Sequence, residues 1–442
     1  MTMRFHPYLA LLVSLLVTPL EAAAETTVTL DLWNIPQKGR GNVIAVGRRR
    51  IFEEFCRRYP QIKVQALVPL KIEGPASWGQ QFLAVAGGVA PDVFHLPLER
   101  LGDFRSQGFL YPLGDLLAEF EKRHGRPYRG INALYQVWNV CHDDGKIDCV
   151  PYNEYYQTIY CVKDMFARAG LPFEGPKDWD ELYTMARRLH WDPAKEPGAD
   201  PRQPRVLGIR VLAGTNAGWN FMPYVWGAGG QIVQSYYRRG DERIPVPSMP
   251  PDFPKLHIGV ANAEVYEQKR AKILSYLRRH NVPADYARDD LEWRMVTNSP
   301  EAIEAFKFQR RLVHQPWLRN GDHEFDITPE MLQVRRAVDP VTGDEFDLDD
   351  PDIQKRIYYG VSDAQMEHTE TRAQFQWDKY AMWMGTIQEA EAWEPKTEFA
   401  VPFPPRPGSP PASYVGGNVL GINATIVASD EPGRRNVEAI RQ

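Results

Sequence analysis

No set of side chains in this chain announces a covalent reaction. A phosphate-cradling GxxxxGK[ST] loop, a GxSxG nucleophile elbow and an HExxH metal helix are all missing from its 442 residues, and each of those chemistries needs its residues at that spacing. The chain has 57 acidic residues, but no pattern marks two of them as the carboxylate pair that glycoside hydrolysis requires. Catalysis is not expected. Cys56, Cys141, Cys149 and Cys161 form no CxxC and no zinc-type spacing. Cys141 and Cys149 flank His142-Asp143-Asp144-Gly145-Lys146-Ile147-Asp148, whose Asp-Gly step predicts a turn that brings them together as a disulfide in an oxidising compartment. Cys56, in a helical run from Ile51 to Tyr59, is expected to be a small buried hydrophobe. The acidic run from Asp344 to Asp350 lacks the glycine that an EF-hand turn needs, so a solvated loop is expected there rather than a calcium site. No metal and no organic cofactor is implied.

The elements that must position any binding side chains are alternately extended and helical. Thr27 to Trp33 alternates like a strand, Arg48 to Tyr59 has apolar residues at helical spacing before Pro60, and Ile62 to Val68 alternates again. Such an order predicts an α/β fold with largely parallel pairing. Ahead of it, Arg4 and His6, an apolar run from Tyr8 to Leu20, and Glu21-Ala22-Ala23-Ala24 have the layout of a secretory signal over residues 1–24, cut after Ala24. The apolar run, broken by Pro19, is too short for the ~20 residues a membrane span needs, and no cysteine follows the cut for a lipid anchor. A periplasmic location is expected. The remaining chain is long enough for two domains. A net charge of −5 with no basic block argues against nucleic acid or an anionic membrane surface as partner.

Trp78 to His95 (WGQQFLAVAGGVAPDVFH) describes an amphipathic helix ending at Gly87-Gly88, a new segment at Pro91, and a short buried strand at Asp92-Val93-Phe94; a second helix then closes on Gly108, before Phe109-Leu110-Tyr111-Pro112-Leu113. Downstream come Asp144 to Asn153, Tyr160 to Gly170, Trp179-Asp180-Glu181-Leu182, Gly218-Trp219-Asn220-Phe221, Gly229 to Val233, Ser299 to Ala305, Lys379 to Gly385 and Val415 to Asn418. In that order these segments resemble family 1 of the extracellular solute-binding proteins, the maltose-binding-protein-like receptors of sugar ABC importers. Val162 departs from the Asn usual there. The resemblance implies the type II periplasmic-binding-protein fold: two discontinuous α/β lobes joined by a hinge, with a ligand cleft between them. Lobe one then comprises 25–152 and 384–426, and lobe two 153–383 and 427–442. Residues 236–292 and 320–370 do not fit the family and are expected to carry their own helices, one over Val260 to His280. Family members continue through further helices that complete lobe two, so the sequence reads as truncated at its C-terminus.

What the resemblance implies functionally is a monomeric, non-enzymatic receptor that holds a sugar or oligosaccharide and delivers it to ABC permease subunits in the inner membrane. A non-sugar solute, signalled by clustered charge of one sign, and a secreted carbohydrate-active enzyme, signalled by turnover, are the alternatives. Sugars stack their C–H faces on aromatic rings while carboxylates, amides and basic groups hold the hydroxyls. The 12 Trp, 20 Tyr and 19 Phe permit this without locating it, because most aromatic side chains belong to cores. Ligands of open α/β sheets bind beyond the carboxyl ends of strands. That places Gln37 and Lys38 in the loop after the first strand, with Trp33 as ligand or core, and Glu99 after the Asp92-Val93-Phe94 strand, as contact or as a solvated acid at a helix start. From the interlobe crossing, one of Asn153, Glu154 and Tyr155 should reach the solute. From lobe two, Trp219 and Asn220 are expected, Trp219 as the stacking platform with Trp226 as its substitute. Gly385 and Thr386 lie near the cleft, whereas Trp383 is read as core. Gly416, Gly417 and Asn418 either let backbone approach the sugar or form a turn into a strand over Val419 to Ile422.

Overall fold

A computed structural model describes residues 28–33, 35–36, 43–67, 79–126, 128, 133–143, 146–196, 198–212, 217–247, 257–258, 263–283, 290–362, 364–365, 379–386, 398–412 and 415–427. The leader and the residues after 427 lie outside that set.

Strand β1 (Val28–Leu32) runs into helix α1 (Val43–Arg58), which returns the chain to strand β2 (Ile62–Ala66), paired parallel to β1 from Val28 opposite Ile62 to Leu32 opposite Ala66. A parallel pair needs such a crossover. Helix α2 (Gly79–Ala86) stops where the sequence predicts: Gly88 adopts φ +68° and the Val89 amide bonds back to the Ala84 carbonyl at 2.9 Å, a left-handed stop that glycine allows without strain. Strand β3 (Val93–Pro97) is tied to β1 by Asp92, whose Oδ2 accepts the Asp31 amide at 2.7 Å. Helix α3 (Leu101–Ser106) ends at Gly108, φ +67°.

The longest strand is β4 (Cys149–Val162). It is flanked by β5 (Met382–Thr386) and β6 (Glu398–Pro402) along its second half and by β7 (Val415–Ile422) along its first, and β7 pairs onward with β3, all antiparallel. Its two ends belong to different cores. Cys149 lies in a first core with Ala84, Phe94, Leu96, Phe104, Trp138 and Val419, whereas Ile159, Tyr160, Cys161 and Val162 lie in a second, larger one.

Helices α4 (Trp179–Leu189), α5 (Ala217–Gly227) and α6 (Pro300–His314) supply the second core. Helix α4 is capped by Asp178, whose carboxylate accepts the Glu181 amide at 3.0 Å. It buries Trp179, Leu182, Tyr183, Met185, Ala186 and Leu189, the stripe of a 3.6-residue period, each large side chain contributing roughly 1.5 to 3 kcal/mol. Ser299 caps α6 by accepting the Ala302 amide, and Phe308 of α6 stacks on Trp179 with ring centroids 4.7 Å apart.

His190 is wholly buried here, edge-on to Trp317 and Tyr358. Burial first, then the Arg205 charge, lowers its pKa from 6.5 to about 3. The folded pKa is the lower one, so the unfolded chain takes up the proton first. Stability from this site is full above pH 6.5 and falls as pH drops towards 3, by about 1.4 kcal/mol per pH unit. Urea unfolding between about pH 7 and pH 5 should show this slope in the wild type and lose it in His190→Leu; equal slopes in both would refute it.

The two stretches expected to carry their own helices, 236–292 and 320–370, do form their own elements. A helix spans Ala263–Arg279, and strands Val233–Arg239, Glu242–Pro245 and Leu291–Met295 form an antiparallel sheet. Ile273, Leu277 and Val282 belong to the first core, Tyr237 and Ile244 pack on it, and His257–Ile258 pairs with Ala133–Leu134. This stretch, inside the range expected for lobe two, thus docks on the first core, because apolar burial is non-directional and a chain order does not say which core an amphipathic face will find. The other stretch folds around a small third core of Leu318, Phe325, Ile327, Ala337, Leu348 and Ile357. Its acidic run is solvated as expected but structured rather than a plain loop: Glu345–Asp347 pairs with Arg336–Val338, Asp349 bonds Arg335, and Asp350 caps the helix Pro351–Arg356.

The segment between the cysteines pairs back on itself as predicted, His142 opposite Ile147 and Asp143 opposite Lys146. Cys141 and Cys149 are both fully buried and lie against each other as two thiols.

Candidate functional site

The expected ligand residues gather around β4 at the point where it passes from one core to the other. The ladder with β7 is irregular here: Asn418 sits opposite Asn153 but Val419 sits opposite Pro151, so Tyr152 is the extra residue of a bulge. A bulge re-aims the side chains beside it. Asn153 Oδ1 accepts both the backbone amide of Asn418 at 2.9 Å and its Nδ2 at 3.0 Å. The two asparagines thereby clamp the crossing strands together.

Glu154 is next, opposite Gly417. A Cβ on Gly417 would lie 2.6 Å from the Asn153 carbonyl oxygen and 3.2 Å from Leu98 Cδ1. Glycine is needed there, yet the close approach is made by the protein's own strand and turn. Gly416, Gly417 and Asn418 do not form a turn; they lie in the first half of β7. The Leu98 contact brings the 3-10 turn Leu98–Arg100 onto this crossing, and with it Glu99. Desolvation raises the Glu99 pKa against the opposing effects of its own backbone and of Arg100.

Alternation along β4 sorts the rest by face. On one face Glu154 Oε1 accepts the hydroxyl of the exposed Tyr156 at 2.6 Å, and desolvation together with that carboxylate pushes the Tyr156 phenol well above its ordinary value. On the other face Tyr155 and Gln157 are buried, and Gln157 Nε2 donates to Oδ1 of the buried Asn220 on α5 at 3.3 Å. Strand β5 completes the cluster, Gly385 opposite Thr158 and Thr386 opposite Gln157.

The structure therefore brings together Asn153, Glu154, Tyr155, Asn220, Gly385, Thr386, Gly417 and Asn418, with Glu99 alongside. Gln37 and Lys38 lie outside the described residues, as does the side chain of Trp219, whose backbone is in the first turn of α5. Trp383 is core, stacked on Tyr160 with centroids 5.6 Å apart, and Trp33 packs on the first core. Gln157, Thr158 and Tyr156 were missed. The signal for Gln157 was available: in Tyr155-Gln157-Ile159 an amide occupies an inward position of a strand, where a buried polar group must find a partner. Carboxylates, carboxamides and a phenol suit a hydroxyl-rich, uncharged solute. Among the described residues no group of three or more His, Cys, Asp or Glu side chains could hold a metal ion.

The family model described as bacterial extracellular solute-binding protein matches residues 45–269. The sn-glycerol-3-phosphate-binding periplasmic proteins UgpB of Rhizobium meliloti and Brucella abortus are each 30% identical over 125 residues, 27% of this chain and 26% of theirs. The chain thus matches about a quarter of the length of these curated relatives. Among solved structures, an ABC transporter solute-binding protein from Thermotoga lettingae bound with α-D-tagatose has a TM-score of 0.52 at 15% identity, covering 94% of this chain and 76% of that one. UgpB from Mycobacterium tuberculosis in complex with glycerophosphocholine has a TM-score of 0.51 at 16% identity, covering 93% and 73%. At such identities the likeness speaks for the fold, which is the type II periplasmic-binding-protein fold. With the family model matched over half of its length and with that fold, the chain belongs to the bacterial extracellular solute-binding proteins.

Proposed function

We propose that this protein is the substrate-binding component of a carbohydrate ABC importer, holding a sugar or oligosaccharide at the β4 crossing and passing it to a membrane permease. One observation carries the proposal: strand β4 threads both cores and bears Glu154, Tyr155, Tyr156 and Gln157 at the passage between them. A solute held there touches both lobes, and a ligand that contacts both faces favours the closed arrangement by its differential affinity. The lobes in this proposal are 25–152 with 384–426 and 153–383 with 427–442, the 233–295 stretch of lobe two docking on lobe one. Residues 1–24 act as a cleaved signal, and the mature protein is a periplasmic monomer without catalytic activity. No helix among the described residues is long and apolar enough to cross a membrane.

A thermal-shift screen against mono- and oligosaccharides tests the function, since a ligand present at 100 times its Kd and bound only to the folded state adds about 2.7 kcal/mol of stability. Glu154→Gln should then weaken binding of the responding sugar by about 10- to 100-fold, the loss of a hydrogen bond to a charged group, and leave the melting temperature without ligand nearly unchanged. Trp219→Ala should cost about 1 to 3 kcal/mol of affinity if it is the stacking platform. A shift with sn-glycerol 3-phosphate or a glycerophosphodiester and with no sugar would replace the carbohydrate proposal by the non-sugar alternative. Release of hydrolysed sugar would replace it by the enzyme.

A further inference from the structure

We propose that Cys141 and Cys149 close a disulfide during oxidative folding, and that this bond fastens the start of β4 to the helix Tyr135–Val140 ahead of it. The geometry is that of a pair waiting to be joined. The two-rung hairpin of His142 with Ile147 and Asp143 with Lys146 sets the cysteines on its flanks. The Asp148 amide reaches the Cys141 carbonyl at 3.4 Å, and the Cys141 amide reaches back to Trp138 at 3.0 Å. Both side chains are fully buried in the first core, the Cys141 thiol donates to the Val137 carbonyl at 3.3 Å, and the Cys149 thiol is within hydrogen-bonding distance of Cys141. Cys161 belongs to the second core and Cys56 lies on α1, so neither is placed to compete.

The reaction removes one hydrogen from each thiol and forms one S–S bond. The two electrons reduce a disulfide-class oxidant to two thiols: a thiolate attacks the oxidant, and the second thiolate displaces it from the mixed disulfide. Timing follows from burial. In the folded chain the Cys149 thiol is held far above its ordinary pKa, by its contact with Cys141 first, then by desolvation and by Asp148. With so little thiolate, exchange in the closed core is slow. The bond therefore forms while the hairpin is present but the core is still open.

The consequence for β4 is mechanical. Its first residue becomes covalently fixed four residues before Asn153, so the clamp between Asn153 and Asn418 works from an anchored end.

The full chain is refolded from denaturant in a buffer of reduced and oxidised glutathione and digested without reduction. Trypsin cuts at Lys146, between the two cysteines, and a glutamate-specific protease used with it cuts at Glu154, between Cys149 and Cys161. The expected product is a pair of peptides joined through Cys141 and Cys149, about 2 Da lighter than the two thiol peptides together. Reductant should lower the melting temperature of this material, while Cys141→Ala/Cys149→Ala melts near the reduced protein and is indifferent to reductant. Alkylation of both cysteines as free thiols after complete oxidative refolding overturns the proposal, as does a link from Cys149 to Cys56 or Cys161. So does an equal effect of reductant on the double variant. The peptide map decides the matter even if the double variant fails to fold.

Discussion

Gly360→Ala is expected to destabilise the protein by about 2 to 5 kcal/mol, enough to remove much of the soluble material at 37 °C. Two independent effects combine. Gly360 has φ +69°, a left-handed conformation that costs an L-residue roughly 1 to 2 kcal/mol. In addition, a Cβ there would lie 2.1 Å from the Val313 carbonyl oxygen and 2.9 Å from that of Leu312, and backbone at the end of a helix does not yield as a flexible side chain would. The residue is also held from both sides: its amide donates to the Gln315 carbonyl at 2.9 Å and its carbonyl accepts the indole N–H of the buried Trp317 at 3.0 Å. Relief by moving the glycine would break those bonds, and overpacking typically adds about 1 to 3 kcal/mol. Gly343 provides the control. It has φ +79° but open space around its Cβ position, so Gly343→Ala should cost only the conformational part, about 1 to 2 kcal/mol. Urea unfolding of the two variants separates the contributions; equal losses would show that the Val313 contact is relieved freely.

Asp148→Ala should be damaging on the other core. Its carboxylate is bound by Arg105 in a two-pronged ion pair, Nη2 to Oδ1 at 2.7 Å and Nε to Oδ2 at 2.5 Å, with both side chains only about a tenth exposed. Arg105 also donates to the Val140 carbonyl. The pair therefore links α3, the helix before the cysteine hairpin, and the start of β4. Removing one partner leaves a desolvated charge, and such breaks cost about 3 to 5 kcal/mol. Replacing both, as Arg105→Met/Asp148→Leu, should recover most of the loss, since an apolar pair of similar volume is often neutral. A double variant as unstable as the single one would mean that the ion pair holds the fold by its geometry and not merely by compensating its own burial. Because β4 begins at the next residue, the single variant is also expected to weaken solute binding.

The sequence alone determined what depends on a few neighbouring residues. Gly88 and Gly108 end α2 and α3 at the predicted places because left-handed backbone is a local property of glycine, and the alternation of Thr27 to Trp33 and Ile62 to Val68 predicts β1 and β2 for the same local reason. The order of such signals, through its resemblance to a known family, also identified the fold and that family. Tertiary structure decided the rest. Gly417 reads equally as backbone approached by a sugar or as a turn, but it lies within β7 with the Asn153 carbonyl and Leu98 at its Cβ position. Asn153 and Asn418 read separately as ligand contacts, and the fold joins them by hydrogen bonds across 265 residues of chain. Gln157 was passed over until Asn220 came to lie against it from α5. The Ala263–Arg279 helix was legible as a helix, but not as part of the first core. Each of these depends on strand register or on the docking of an apolar face between segments far apart in the chain. Local dihedral preferences carry no information about such pairings, and hydrophobic burial rewards area without specifying a partner.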